Sequence, residues 1–437
     1  MKIRQEMGWF FGVASFVLSS VTSSVGWADS GDILSKFHPY ITVREEYNNN
    51  IDLTATNKKS DFITTVSPGL KLSTSEKTYG IDLDFNAGFN FYAKEEDNNY
   101  ISLLGNLNTW YALTPRLSFR VRDYLIRSDE NREPDYSVSA LEGTYLTSRT
   151  FRRVPYTRNV FEPSVEYQYG KKEDLISINY RNNLYNTQSQ VSEDSVENYI
   201  NPRFTHWFDI RNGISLEYGL TLGDFQRSSD LVGQMATGRY TYRFNPKTSI
   251  FGEYTQMWRN FDGPRVDYIV YRPSIGIEHA FTPTLTGKVQ GGYYRADPTK
   301  GSALDGPFYD ITVTQQAQRT TYTLGFQGGY TEDFFTSENR GFTQYHRALG
   351  RVSHQFLRRV NVGLYSSYEW NKNSGSLILS GRETDRIWTI GGNAGYQILK
   401  WLTLSLDLSH RENHSNIDAA DYSEYRGMLS ITATYNK

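Results

Sequence analysis

The chain has no cysteine among its 437 residues. That excludes a disulfide framework and leaves no lipid-anchor cysteine near the N-terminus. Beyond residue 28 no run of eighteen apolar residues occurs, which excludes a transmembrane helix. Charge of one sign is lacking too. The 46 basic and 48 acidic residues leave a net charge of −2, which makes no case for a nucleic-acid partner. No segment shows helical spacing of apolar residues comparable to the alternation described below. Catalytic signatures are sparse. No Gly-x-Ser-x-Gly elbow occurs, and the seven histidines are scattered. His410 and His414 share helical spacing, but at a strand-to-loop junction. We therefore expect no enzyme, no cofactor and no metal centre.

What is present begins with an export signal. Lys2 and Arg4 precede an apolar segment from Trp9 to Val21, and Gly26-Trp27-Ala28 supplies the small residues of a cleavage site. Removing residues 1–28 removes Lys2, Arg4 and Glu6, so the mature charge is −2 − 1 = −3. The expected organisation is a signal peptide over 1–28, a short periplasmic segment over 29–37 and one β-barrel over 38–437. Only about ten residues separate the cleavage site from His38, too few for a plug domain.

From there on, period-two alternation recurs. In GIDLDFNAGFNFYAK (80–94), Ile81, Leu83, Phe85, Ala87, Phe89 and Phe91 share one face, while Asp82, Asp84, Asn86 and Asn90 share the other. Ile214 to Leu222, Tyr322 to Tyr330, Leu402 to Leu408 and Leu429 to Tyr435 repeat the pattern. Alternation of this kind makes strands, so the fold class is all-β. Connections fall into two kinds. Nine are short and turn-like, among them LTPR (113–116), FNPKT (244–248), FTPT (281–284) and ILKW (398–401). The others are longer and polar, and the two kinds alternate. Such asymmetry marks an antiparallel up-and-down transmembrane barrel, with periplasmic turns and extracellular loops. Nine short turns imply about twenty strands, with eighteen to twenty-two allowed. Pro68, Pro163, Pro202 and Pro273 each precede a short turn and fall on the outward face, which suggests bulges or loosened pairing.

The stretch PYITVREEYNNNIDLTATNKKSDFITTVSPGL (39–70) resembles the opening of the “putative β-barrel porin 2” family. The likeness rests on Glu45-Glu46-Tyr47, on Asn50 to Thr54, and on Asp61, Ile63-Thr64 and Pro68-Gly69-Leu70. The resemblance implies an integral outer-membrane barrel of a Gram-negative bacterium, with some relatives standing beside exopolysaccharide export systems. It implies as partners outer-membrane lipid and lipopolysaccharide, the β-barrel assembly machinery and periplasmic polysaccharide-export components.

In such a barrel the apolar face meets lipid and the polar face lines a lumen. Twenty strands give a backbone diameter of about 40 Å, too wide for side chains to fill. Alternation assigns inward the candidates Arg120, Arg122, Arg181, Arg203, Arg239, Arg243, Arg347, Arg351, Asp82, Asp84, Glu162, Glu166 and Glu217. With Arg44, Lys71, Arg259, Arg272, Lys288, Arg426, Glu46, Glu253, Glu278 and Asp407, fourteen bases face nine acids. Two readings stay open. These residues form a ladder for a polar or anionic solute, with Trp110, Trp207 and Tyr365 as sugar-stacking platforms, or they pair across strands and brace the wall. The longest loop carries Arg149, Arg152, Arg153 and Arg158, candidates for an inward constriction or for lipopolysaccharide contact. Tyr40, Tyr92, Tyr100, Tyr124, Trp258, Tyr293, Tyr330 and Trp370 lie near strand ends, as interfacial girdles do. The expected function is a pore, extended by the resemblance to an exopolysaccharide conduit. The alternative is a non-conducting surface barrel whose loops bind a partner.

Overall fold

In a computed structural model, the structure describes residues 36–130, 133–134, 145–146, 153–170, 173–187, 192–335, 341–373 and 383–435. The proposed signal peptide, Arg149 and Arg152 lie outside them. The strands are β1 (Phe37–Asn48), β2 (Asp61–Ser75), β3 (Tyr79–Tyr92), β4 (Tyr100–Thr114), β5 (Leu117–Ser128), β6 (Glu133–Pro134), β7 (Tyr145–Leu146), β8 (Tyr156–Gln168), β9 (Leu175–Thr187), β10 (Ser195–Trp207) and β11 (Asn212–Phe225). They continue as β12 (Asp230–Asn245), β13 (Thr248–Asp262), β14 (Tyr268–Thr282), β15 (Leu285–Pro298), β16 (Leu304–Gln316), β17 (Thr320–Asp333), β18 (Gly341–Leu357), β19 (Val360–Asn373), β20 (Glu383–Leu399), β21 (Leu402–Ser415) and β22 (Tyr422–Thr434).

Twenty of these form one antiparallel sheet in which each strand pairs with its neighbours along the chain. The sheet closes on itself where β1 pairs β22, from Tyr40↔Thr434 to Asn48↔Arg426. The short β6–β7 ladder stands apart from it. Closure removes the two free edges, so backbone groups that lipid cannot satisfy are paired within the wall. Wall strands of 12 to 17 residues exceed the about nine to eleven that a tilted crossing needs.

Side-chain contacts identify the concave face. Tyr40 donates to Asp84 across β2, and Arg239 donates to Glu278 across β13. Contacts that skip a strand are made only on the inside of a curved sheet. The opposite parity carries exposed apolar residues such as Val43, Phe85, Leu216, Ile275, Leu364 and Leu408. The stretch at 80–94 follows this rule, with Phe85, Phe89 and Phe91 outside and Asp82, Asp84 and Asn90 within.

Turn chemistry explains the tight end. Thr114 Oγ1 accepts from the backbone N–H groups of Arg116 and Leu117, and Thr282 does the same for Thr284 and Leu285. Asn245 caps Lys247, and Asp209 caps Arg211 and Asn212. In three of these four turns a proline follows the capping residue and presets the turn dihedral.

The four strand prolines loosen pairing without forming bulges. Around Pro68, Pro163, Pro202 and Pro273 two residue pairs drop out of one ladder, and the register resumes unchanged. At Pro202 the acceptor left without a backbone donor is the Tyr218 carbonyl. Asn201 Nδ2 fills the vacancy at 3.0 Å.

Candidate functional site

The inner wall is a belt of cross-strand ion pairs. Arg122 meets Glu162 at 3.1 Å, Arg181 meets Glu197 at 2.6 Å, and Arg203 meets Glu217 at 2.5 Å. Arg239 meets Glu278 at 2.9 Å, Arg243 meets Glu173 at 2.6 Å, and Arg347 meets Glu369 at 2.6 Å. Lys71 holds Asp84, Lys288 holds Asp310, Arg272 holds Glu253, and Arg426 holds Glu46. Five acids absent from the sequence assignment, Glu173, Glu197, Asp310, Glu332 and Glu369, supply partners. The excess of base over acid is therefore corrected, and bracing accounts for most of the ladder. Their partners are set by register, which alternation does not give.

The remaining candidates stand as follows. Asp82 faces Ser73 and Asn108 on its flanking strands, and Glu166 faces Ser118 and Ser177. Arg351 stands between Thr323 and Tyr365. Arg120 lies between Trp110 and Ser164 and has neither ion pair nor side-chain hydrogen bond among the described residues. Arg158 is buried and donates to Asn183. Arg153, from the long loop, lies over the rings of Tyr92 and Tyr100, with centroids 4.6 and 5.6 Å away. These three residues and Glu46 sit together at the long-loop end of the barrel, so the last part of that loop does enter the mouth.

The larger constriction has another source. The β15–β16 ladder continues to Leu304, whereas β16 stops pairing with β17 at Tyr309↔Gly328. The β17–β18 ladder runs on to Asp333↔Gly341. The upper β17–β18 hairpin thus leaves the wall and lies across the inside of β13–β16. Pro307, beyond the last β16–β17 pair, has no N–H to offer β17. At Gly328 the β17 residues still follow the wall. Tyr309 covers that glycine and reaches His346, with Oη and Nδ1 2.6 Å apart. Two residues on, Tyr330 donates to Met257 Sδ at 3.3 Å and stacks on Phe342. Glu332 accepts from Arg259 Nη2 at 2.5 Å and from Tyr268 Oη at 2.6 Å. Gln344 donates to Tyr294 Oη and to the Asp305 carbonyl.

The hairpin tip buries rings against the far side. Phe334 packs on Phe261, and Phe335 stacks on Phe225 of β11. With Leu231, Tyr268, Val270, Tyr294, Ala296 and Phe342 they form an apolar cluster inside the barrel mouth. Arg265, in the loop before β14, covers Phe261 and Phe334, and burial pushes its guanidinium pKa down. Gly341, at φ 75°, takes the chain into β18 through a conformation that favours glycine.

The aromatic girdle needs a second correction. Trp258, Tyr293 and Trp370 have outward parity, but Tyr40, Tyr92, Tyr100, Tyr124 and Tyr330 are on the lumen side. Nearness to a strand end does not fix the face; parity does, and at Tyr330 the departure of the hairpin does. Outward rings at the turn end are instead Phe208, Phe244, Phe281 and Phe356.

The family described as “Putative beta-barrel porin 2” matches residues 36–197 and 225–435. No curated protein matches the chain. Among solved structures, the siderophore receptor PirA from Pseudomonas aeruginosa aligns with a TM-score of 0.50 and 9% identity, over 92% of this chain and 80% of that one. The outer membrane protein OpdK from Pseudomonas aeruginosa gives 0.43 and 12%, over 91% and 99%. A BenF-like porin from Pseudomonas fluorescens Pf-5 gives 0.45 and 11%, over 92% and 100%. At 9% identity, the likeness to PirA is one of fold alone.

Proposed function

The chain belongs to the “Putative beta-barrel porin 2” family of outer-membrane barrels, and from that premise we propose that it is a pore for a polar or anionic solute. The observation that carries this reading is the inner wall, a closed surface of braced Arg, Lys, Asp and Glu side chains that water and polar solutes wet. The wall is too wide for its own side chains to fill, and the β17–β18 hairpin occupies part of the mouth. Conduction through that part requires the hairpin to move back to the wall.

The finer reading is a conduit for exopolysaccharide in a Gram-negative outer membrane. It rests on the resemblance at 39–70 and fits a polar wall set with aromatic rings. Lipopolysaccharide, the barrel assembly machinery and periplasmic export components are its proposed partners. Signal-peptide removal at Ala28 is proposed with it. A second reading, a non-conducting surface barrel whose loops bind a partner, is favoured by the apolar cluster that fills one side of the mouth.

Planar-bilayer recording on refolded protein separates them. A pore gives discrete conductance steps that grow when residues 330–344 are deleted. Absence of current in the wild type, in that deletion and in a deletion of 131–156 would sink the pore and leave the surface barrel.

A further inference from the structure

Several rings on the lumen wall lie flat on a glycine of the next strand. Tyr40 covers Gly69, Trp110 covers Gly80, Tyr199 covers Gly219, Trp207 covers Gly213 and Phe251 covers Gly276. A Cβ at Gly80 would stand 2.2 Å from Trp110 Nε1, so only glycine admits the ring there. A ring held this way has one face on the backbone and the other toward the lumen.

Four of these five rings are already taken by a cation. Lys71 sits 5.1 Å from the Tyr40 centroid and Arg181 sits 4.8 Å from that of Tyr199. Arg243 is 3.5 Å from Trp207, and Arg239 is 3.6 Å from Phe251. Trp110 is different: no cation lies over it among the described residues. The base that faces it in register is Arg120, exposed and without an ion pair or side-chain hydrogen bond among the described residues. One row up, Arg122 is held by Glu162. Directly opposed residues of an antiparallel pair bring their Cβ atoms to about 5 Å, so indole and guanidinium share one patch of wall.

We propose that Trp110 and Arg120 form a subsite for a uronate, a sugar ring bearing a carboxylate. The inference rests on the pore reading and names its substrate class. The apolar C–H face of a pyranose stacks on the indole, and the guanidinium takes the carboxylate with two parallel N–H donors. Trp110 alone would serve a neutral sugar, and Arg120 alone a simple anion. Their juxtaposition suits both features in one residue. Asp82, on the far side of β4, and Glu166, one row from Arg120, set a limit. They repel further negative charge at that patch, so the subsite fits one carboxylate per sugar ring better than a ring bearing several anionic groups.

The test uses the full chain, with trigalacturonate, maltotriose and acetate as probes. Binding is measured by titration calorimetry in detergent, and current block is measured in bilayers. Trigalacturonate is expected to bind and to block. Arg120→Gln and Trp110→Leu should each weaken it about tenfold or more, which is about 1.4 kcal/mol. Maltotriose should bind more weakly and respond to Trp110→Leu only. Acetate should not compete at equal concentration. Arg120 is exposed and unpaired, so Arg120→Gln leaves the fold intact if Trp110→Leu does not. Trigalacturonate binding unchanged in Arg120→Gln, or maltotriose binding as tightly, would overturn the subsite. Absence of current with calorimetric binding intact would overturn the pore and keep the subsite.

Discussion

Nη2 of Arg259 on β13 lies 2.5 Å from Oε2 of Glu332 on β17, although three strands separate the two in the wall. Both side chains are only 11% exposed. The pair therefore holds the β17–β18 hairpin inside the mouth. Glu332→Gln leaves a buried guanidinium without its counter-charge, which costs about 3–5 kcal/mol and falls on the closed position. Larger or more frequent conductance steps are expected. Replacing both residues by Met should restore closure, because two apolar side chains suit the adjacent cluster. Equal conductance in wild type and Glu332→Gln would show that the pair does not hold the hairpin.

The point of departure should be adjustable. Pro307→Ala supplies the N–H that β16 lacks and is expected to extend the β16–β17 ladder beyond Gly328. Slower amide exchange over 329–333 and a larger conductance would follow. Gly328→Val acts on the same junction by sterics, since its Cβ would stand 2.3 Å from Tyr309 Cζ. Overpacking of this kind costs about 1–3 kcal/mol. Tyr309→Ala should relieve much of it in denaturant titrations.

Wall braces should differ with burial. Arg347 and Glu369 are 13% and 15% exposed, whereas Arg203 is 51% exposed beside Glu217. Arg347→Met is expected to destabilise the barrel by about 3–5 kcal/mol, and Arg203→Met by about 1 kcal/mol or less. Urea unfolding in detergent or lipid checks the order. Equal losses would mean that water reaches both pairs alike.

Asn201 and Pro202 should behave as a unit. Asn201→Ala removes the donor that serves the Tyr218 carbonyl and is expected to cost about 1–3 kcal/mol. Pro202→Ala restores a backbone N–H at the same place, so the double variant should recover part of the loss. A strictly additive double variant would show that the carbonyl is satisfied by other means.

Much of the wall was legible in the alternation. Phe85 and Asp84 could be assigned to opposite faces without coordinates, because successive strand side chains point to opposite faces. Thr114-Pro115 and Asn245-Pro246 announced tight turns through their capping side chains. Pairing was not legible. Parity puts Arg181 on one face, but it does not name Glu197 as its acid, because partner choice depends on the register of β9 against β10. Arg120 and Arg122 read alike in sequence, yet only Arg122 has an acid beside it. Glu332 carried no signal at all. Its inward position follows from a hairpin leaving the wall, and period-two arithmetic assumes that the hairpin stays.

The sequence by itself determined which residues of the regular wall face each side, and that turns and loops alternate. Those properties are local, set by backbone pleat, turn dihedrals and the cost of polar groups in lipid. Only the tertiary structure decided that β1 closes on β22, which acid meets which base, and that the β17–β18 hairpin fills part of the mouth. These depend on residues far apart in the chain meeting across a curved wall, and strand alternation holds no information about which of them will meet.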